Sequence, residues 1–187
     1  NAFYTGDIAQ DIVAKVSTQP TNPGRLTLAD LSGYVSKVRE PVCGVYRVSY
    51  RICGMPAPSS GGISLLQTLG ILNHFDVAGL KANTVDSVHL VSEAYRLAYA
   101  DRAKYIADSD FVSVPVAGLL DPAYLKSRAQ LISMQKSIGT PVAGLPAGAS
   151  TAGTDTSLNL PSTSHMSIVD SAGNAVSMTT TIENGFG

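Results

Sequence analysis

Apolar residues recur along this chain mostly at helical spacing, with strand-like runs near residue 45 and at the C-terminal end. Between residues 7 and 16, Ile8, Ile12, Val13 and Val16 lie on one face, which predicts an amphipathic helix. Residues 20–24 form a loop, and Thr27 with Asp30 three positions on has the pattern of a capping box, so a short helix starts there. Residues 41–52 predict a strand pair. Ser59 or Ser60 caps the next helix, which runs to about residue 73 with Ile63, Leu66, Leu69 and Leu72 on its apolar face. Asn83 or Thr84 opens a long helix reaching about residue 107, with Val88, Val91, Tyr95 and Ala98 as its apolar stripe. Residues 114–120 are irregular. Asp121 as cap and Pro122 in the first turn begin a last helix that ends near residue 136. Residues 140–162 are rich in Ala, Gly, Ser, Thr and Pro, the composition of a mobile linker. Two partly alternating strands follow from Thr163, joined by a turn over residues 170–174.

Composition narrows the function classes. Hydrophobic residues make up 44% of the 187 and charged residues 14%, which is globular rather than disordered composition. A net charge of −1 supplies no basic field for nucleic acid. No apolar run approaches the ~20 residues of a membrane span. The chain opens on Asn1-Ala2-Phe3-Tyr4 without an initiator Met or signal peptide and stops at Gly187 after a strand-like segment, so both ends look like cuts within a larger protein. Its cysteines, Cys43 and Cys53, sit symmetrically about Val48. In a hairpin they face each other across two strands, close enough for a disulfide, and the alternative is two half-buried thiols. No His is spaced to complete a zinc site with them, and no other metal set is apparent.

The candidate chemistry centres on Thr163. An internal Thr hydroxyl is a poor nucleophile. If the Ser162–Thr163 bond is cut, Thr163 gains a free α-amino group that titrates near ~8 and can act as base for its own hydroxyl. A linker ending at a Thr that opens a β-hairpin suits a self-cleaving precursor. His165, two residues on, invites a Ser-His reading, but it points away from Ser164 and the amine already supplies a base, so a structural role is expected. Ser59, Ser60, Gly61 and Gly62 at a helix start could cradle an anion; packing and capping are the expected role. Asp101, Arg102, Asp108 and Asp110 are expected to form a solvated face or internal ion pairs.

Four segments together resemble the γ-glutamyltranspeptidases, the glutathione hydrolases of the N-terminal-nucleophile class. They are Pro56-Ala57-Pro58-Ser59-Ser60-Gly61-Gly62-Ile63, Glu93-Ala94-Tyr95-Arg96 with Tyr99-Ala100-Asp101-Arg102, Asp108-Ser109-Asp110-Phe111-Val112, and Thr163-Ser164-His165 through Phe186-Gly187. Any one is weak, but the four stand in family order over essentially the whole chain.

The resemblance implies a mixed α/β (α+β) chain, helix-rich with a C-terminal β-hairpin, belonging to a layered αββα sandwich. Residues 1–139 would be the late part of the large subunit, 140–162 the linker before the cleavage site, and 163–187 the first strands of the small, catalytic subunit. Thr163 would cleave its preceding bond to Ser162 and then attack a γ-glutamyl carbonyl. Thr181 would orient the Thr163 hydroxyl, and Glu183, where many members carry Asn, would hold the substrate's α-amino group. The donor would be glutathione or another γ-glutamyl compound and the acceptor water or an amino acid. No cofactor is implied. The remaining segments of both subunits would be partners. A periplasmic or secreted location is implied, which favours a Cys43–Cys53 bridge. A related cephalosporin or glutaryl acylase is the alternative enzyme, and a non-catalytic structural fragment the alternative from another class.

Overall fold

The computed structural model describes residues 1–150 and 163–181. It divides into two compact units, residues 1–42 and the chain from Cys43 onward. In the first, helix α1 (Asp7–Ser17) and the short α2 (Leu28–Ser32) are the regular elements. The predicted capping box is present. Asp30 N–H donates to the Thr27 hydroxyl at 3.2 Å, and Thr27 N–H donates back to the Asp30 carboxylate at 2.8 Å. The Thr27 hydroxyl, which donates to the same carboxylate at 2.7 Å, and then the Thr27 N–H hold the Asp30 carboxyl below its ordinary value.

The second unit opens with the hairpin β1 (Val42–Tyr46) and β2 (Tyr50–Gly54). Cys43 and Cys53 are joined by a disulfide across it, with Cα atoms 4.1 Å apart. Helix α3 (Gly61–Leu72) packs so closely on β2 that a Cβ at Gly54 would lie 2.6 Å from the Gly62 Cα. After a 3₁₀ turn at Val77–Gly79 comes the long helix α4 (Val85–Tyr105), then α5 (Val116–Leu119) and α6 (Pro122–Ala129). The core lies between α3, α4 and α6, where Ile71, Leu72, Leu90, Ala94, Leu97, Leu125 and Ala129 are buried together. Strands β3 (Thr163–Val169) and β4 (Ala175–Thr181) form the C-terminal hairpin.

Several local expectations are met and others need correction. Thr84 and Asp121 cap α4 and α6 as the sequence predicts. Ser60 occupies the cap position of α3, but its hydroxyl accepts from Arg102 Nε at 2.9 Å, while the Ser59 hydroxyl accepts the Gly61 N–H at 3.3 Å. Residues 114–120 contain the short helix α5. Helix α6 stops at Ala129 rather than near 136, because Ile132 and Met134 turn back onto the core through a tight bend closed by a Ser133–Lys136 bridge. Of the apolar stripe assigned to α4, only Ala98 lies on the buried face. Val88, Val91 and Tyr95 are 42–56% exposed, and the buried face carries Leu90, Glu93, Ala94, Leu97, Ala98, Asp101 and Tyr105. Two carboxylates on that face hide it from a hydrophobicity pattern.

The disulfide closes a short loop, the cysteines standing 10 positions apart. Chain-entropy reasoning gives about 2–3 kcal/mol for a loop of this size. The C43S/C53S variant is expected to lose about 2–3 kcal/mol of unfolding free energy, measured by urea titration. Alkylation of unreduced protein is expected to label neither cysteine by intact mass, and two labels would contradict the bridge in solution.

Candidate active site

The C-terminal hairpin sets the candidate nucleophile. Antiparallel pairing puts Thr163 opposite Thr181, His165 opposite Thr179 and Ser167 opposite Ser177. Opposed residues share a face, so Thr163, His165, Ser167, Ser177 and Thr179 line one side of the hairpin. The other side carries Met166 opposite Met178 and Ile168 opposite Val176. This register depends on the turn. The Asp170 carboxylate accepts the N–H groups of Ala172 and Asn174 at 2.9 and 2.8 Å and the Asn174 side-chain amide at 2.8 Å. Those bonds, Asn174's first, hold its carboxyl below the ordinary value. Gly173 supplies the left-handed φ of +84°. A slip of one residue would move Thr181 to the other face from Thr163, so the turn's geometry reaches the far end of the hairpin.

His165 lies among hydroxyls. Its Nδ1 is 2.8 Å from Thr179 Oγ1, and its Nε2 is 3.2 Å from Ser167 Oγ and 3.1 Å from Ser177 Oγ. The ring therefore joins the two strands through three side chains, which is a positioning arrangement for the polar face. Ser162 and Glu183 lie outside the described residues.

A second polar cluster lies on α4, and sequence reasoning undervalued it. Asp101 is fully buried and Arg128 nearly so, with Arg128 Nη2 3.3 Å from Asp101 Oδ1. Asp101 Oδ1 also accepts the Gly144 N–H at 2.8 Å. Its Oδ2 accepts from the Tyr124 hydroxyl at 2.7 Å and the Gln67 amide at 3.0 Å. Burial, then the bond to Asp101, pushes the Tyr124 phenol far up, so Tyr124 stays a donor. The Tyr105 hydroxyl donates to the Gly144 carbonyl at 2.6 Å, and Arg128 donates to the Val142 carbonyl at 2.8 Å. A Cβ on Gly144 would lie 2.3 Å from the Tyr124 hydroxyl oxygen, so a larger residue there would push Tyr124 away from Asp101.

Eight positions earlier on the same helix, Glu93 repeats the device. Its Oε2 accepts the Ile138 N–H at 2.7 Å, and its Oε1 accepts the Ser137 hydroxyl at 3.0 Å and pairs with Arg96 at 2.5 Å. Arg96 also donates to the Gly139 carbonyl. Burial raises the Glu93 carboxyl, but these bonds together outweigh it and leave the group below its ordinary value. A depressed carboxylate stabilises the fold above its unfolded pKa, and that contribution is lost as the pH falls through the folded value. The sign that could have exposed both groups is their spacing: positions 93, 97 and 101 fall on one face of a helix. The expectation of internal ion pairs among Asp101, Arg102, Asp108 and Asp110 is met at Asp101. Asp108 accepts the Asp110 N–H at 2.9 Å in a local turn.

A cavity of about 410 Å³ between β1, α3 and α6 is lined by Gly44, Leu66, Leu69, Gly70 and Leu125 among others, and no residue of β3 or β4 borders it. No three His, Cys, Asp or Glu side chains gather as a metal site among the described residues.

The family profile described as gamma-glutamyltranspeptidase matches residues 1–187. The chain belongs to the γ-glutamyltranspeptidase family. It is 40% identical over its whole length to the acylase ACY 1 proenzyme of Pseudomonas sp. (strain SE83), covering 31% of that protein. It is 38% identical to the glutathione hydrolase proenzyme of Escherichia coli (strain K12), with 99% of this chain and 30% of that protein covered. The crystal structure of Helicobacter pylori gamma-glutamyltranspeptidase superposes with a TM-score of 0.66 at 37% identity, over 79% of this chain and 42% of that one. The chain thus spans about a third of the length of the curated relatives it matches. The mixed α/β fold with a C-terminal hairpin agrees with this family membership.

Proposed function

We propose that this chain is the central part of a self-cleaving amidase that transfers or hydrolyses γ-glutamyl groups, with Thr163 as nucleophile. The observation that carries the reading is Thr163 at the first position of β3, opposite Thr181, following the Ala/Gly/Ser/Thr/Pro-rich segment. In maturation, the Thr163 hydroxyl attacks the Ser162 carbonyl and the acyl group passes from nitrogen to oxygen. Water then hydrolyses the ester, leaving a Ser162 carboxylate and a free Thr163 amine. In turnover that amine takes the hydroxyl proton as Oγ attacks the γ-glutamyl amide, and returns a proton to the departing amine. The acyl-enzyme ester is resolved by water or by an amino acid's amine. Thr181 orients the hydroxyl and Glu183 receives the substrate's α-ammonium. Residues 1–139, 140–162 and 163–187 are then late large subunit, pre-cleavage segment and small-subunit start. Glutathione or a related γ-glutamyl compound is the donor, and the remaining segments of both subunits complete the site. The Cys43–Cys53 bridge supports an oxidising, periplasmic or secreted compartment. No helix among the described residues is long and apolar enough to cross a membrane.

The similarity to an acylase proenzyme favours a second reading, a cephalosporin or glutaryl acylase with the same nucleophile. The full-length protein assayed on γ-glutamyl-p-nitroanilide and glutaryl-p-nitroanilide separates the two, because the second substrate lacks only the α-amino group. Faster turnover of the glutaryl compound would favour the acylase.

The role of Glu183 has its own test. A charge-assisted contact contributes roughly 1.5–3 kcal/mol, so Glu183→Ala is expected to raise KM for the γ-glutamyl substrate about ten- to a hundredfold. Self-cleavage needs no amino acid ligand and should proceed unchanged. Equal losses on both substrates would show that Glu183 supports the strand and does not read the ammonium.

A further inference from the structure

We infer that His165 is a positioning residue for the proposed turnover. Through Thr179 it ties the end of β3 to β4 and keeps Thr163 in place once cleavage makes that residue a chain terminus. This rests on the proposed role of Thr163 as an N-terminal nucleophile. Terminal residues are poorly ordered unless something ties them down. Within this chain burial does not do so, since every residue of β3 is exposed. The Asp170 turn sets the register, but it stands at the other end of the strand, roughly 23 Å from Thr163. His165 is the next residue after Thr163 on the same face, roughly 7 Å along the strand. Among the described residues, the side-chain hydrogen bonds between β3 and β4 all run through its ring. Nδ1 lies 2.8 Å from Thr179 Oγ1, and Nε2 lies 3.1 Å from Ser177 Oγ. The Ser167 hydroxyl, 3.2 Å from Nε2, steadies the ring from its own strand. A hydroxyl can donate or accept, so either tautomer of the ring finds partners at both nitrogens. Thr179 stands directly opposite His165, whereas Ser177 lies diagonally toward the turn. The Thr179 bond is thus the tie nearer to Thr163.

A nucleophile misplaced by about 1 Å can cost on the order of a hundredfold in rate. In the full-length protein, His165→Ala is therefore expected to lower kcat on γ-glutamyl-p-nitroanilide about ten- to a hundredfold per cut molecule. KM should stay within about twofold, because His165 acts through Thr163 and not on the bound substrate. Splitting before Thr163 is expected to slow far less than turnover, since Thr163 then has chain on both sides. His165→Asn places an amide where Nδ1 stood, within reach of Thr179, and is expected to restore kcat to within about threefold of native. Thr179→Val keeps the branched shape and removes the hydroxyl. It is expected to lower kcat on its own and to add little to His165→Ala in a double-mutant cycle. A side chain with only a structural role would lower the unfolding free energy without this split between kcat and KM. Native kcat in folded, cut His165→Ala overturns the proposal, as does a raised KM at unchanged kcat. So do an Asn variant as slow as the Ala variant and losses at 165 and 179 that multiply independently. If His165→Ala does not fold, native kcat in Thr179→Val or a large loss in His165→Asn overturns it. A Thr163→Ala protein that still turns over substrate instead defeats the nucleophile reading, which keeps the two failures distinct.

Discussion

Thr163→Ala in the full-length protein is expected to accumulate as one uncut chain with no measurable turnover of γ-glutamyl-p-nitroanilide. Both losses have one origin. The hydroxyl that attacks the Ser162 carbonyl is the hydroxyl that later attacks substrate, and the uncut chain also lacks the free amine that serves as its base. Removing a nucleophile from a concerted site costs on the order of 10⁶ in rate, so residual turnover should fall below detection. Thr163→Ser keeps a hydroxyl but loses the methyl group that restricts χ1. It is expected to split slowly and to retain activity in the fraction that splits. The readout is the ratio of uncut chain to subunits against time, with the new N-terminus sequenced. Splitting before residue 163 in the Ala variant would assign the nucleophile elsewhere.

How far the chain could be read in advance depends on the physics of each part. Caps were legible because they are local: Thr27 with Asp30, Thr84 and Asp121 each need only a few neighbours to satisfy helix-end N–H groups. The C-terminal hairpin was legible for a similar reason. Asp170, Gly173 and Asn174 form a self-contained turn, and strand alternation then carries the register to Thr163 and Thr181. The buried face of α4 was not legible, because hydrophobicity marks Val88, Val91 and Tyr95, which are exposed, and passes over Glu93 and Asp101, which are buried. Their burial is favourable only because backbone N–H groups from residues more than 40 positions away meet them, and no local window contains that information. The end of α6 failed likewise: the helix could continue on propensity, but Ile132 and Met134 reach the core only if it stops. Composition described residues 140–150 as linker, whereas Val142 and Gly144 are tied to Arg128, Asp101 and Tyr105 by contacts across the fold.

Asp101→Ala is expected to cost about 3–5 kcal/mol of stability, the range for removing one partner of a buried ion pair. The loss has several parts. The Arg128 guanidinium, 6% exposed, would be left without a facing carboxylate. The Gly144 N–H, the Gln67 amide and the Tyr124 hydroxyl would lose their acceptor at once. There is little slack to absorb this, since Arg128 Nε and Gln67 Oε1 already lack partners among the described residues. Against a typical total of about 5–15 kcal/mol, the change is about a fifth or more of a domain's stability. Urea unfolding in the Thr163→Ala background keeps every variant as a single chain and makes the comparison direct. Asp101→Ala/Arg128→Met removes both charges while keeping volume at residue 128, so it is expected to be less destabilised than Asp101→Ala alone. A double-mutant cycle reads that coupling. If the two substitutions simply add, the pair does not interact energetically, and the cost belongs to the lost hydrogen bonds of Gly144, Gln67 and Tyr124.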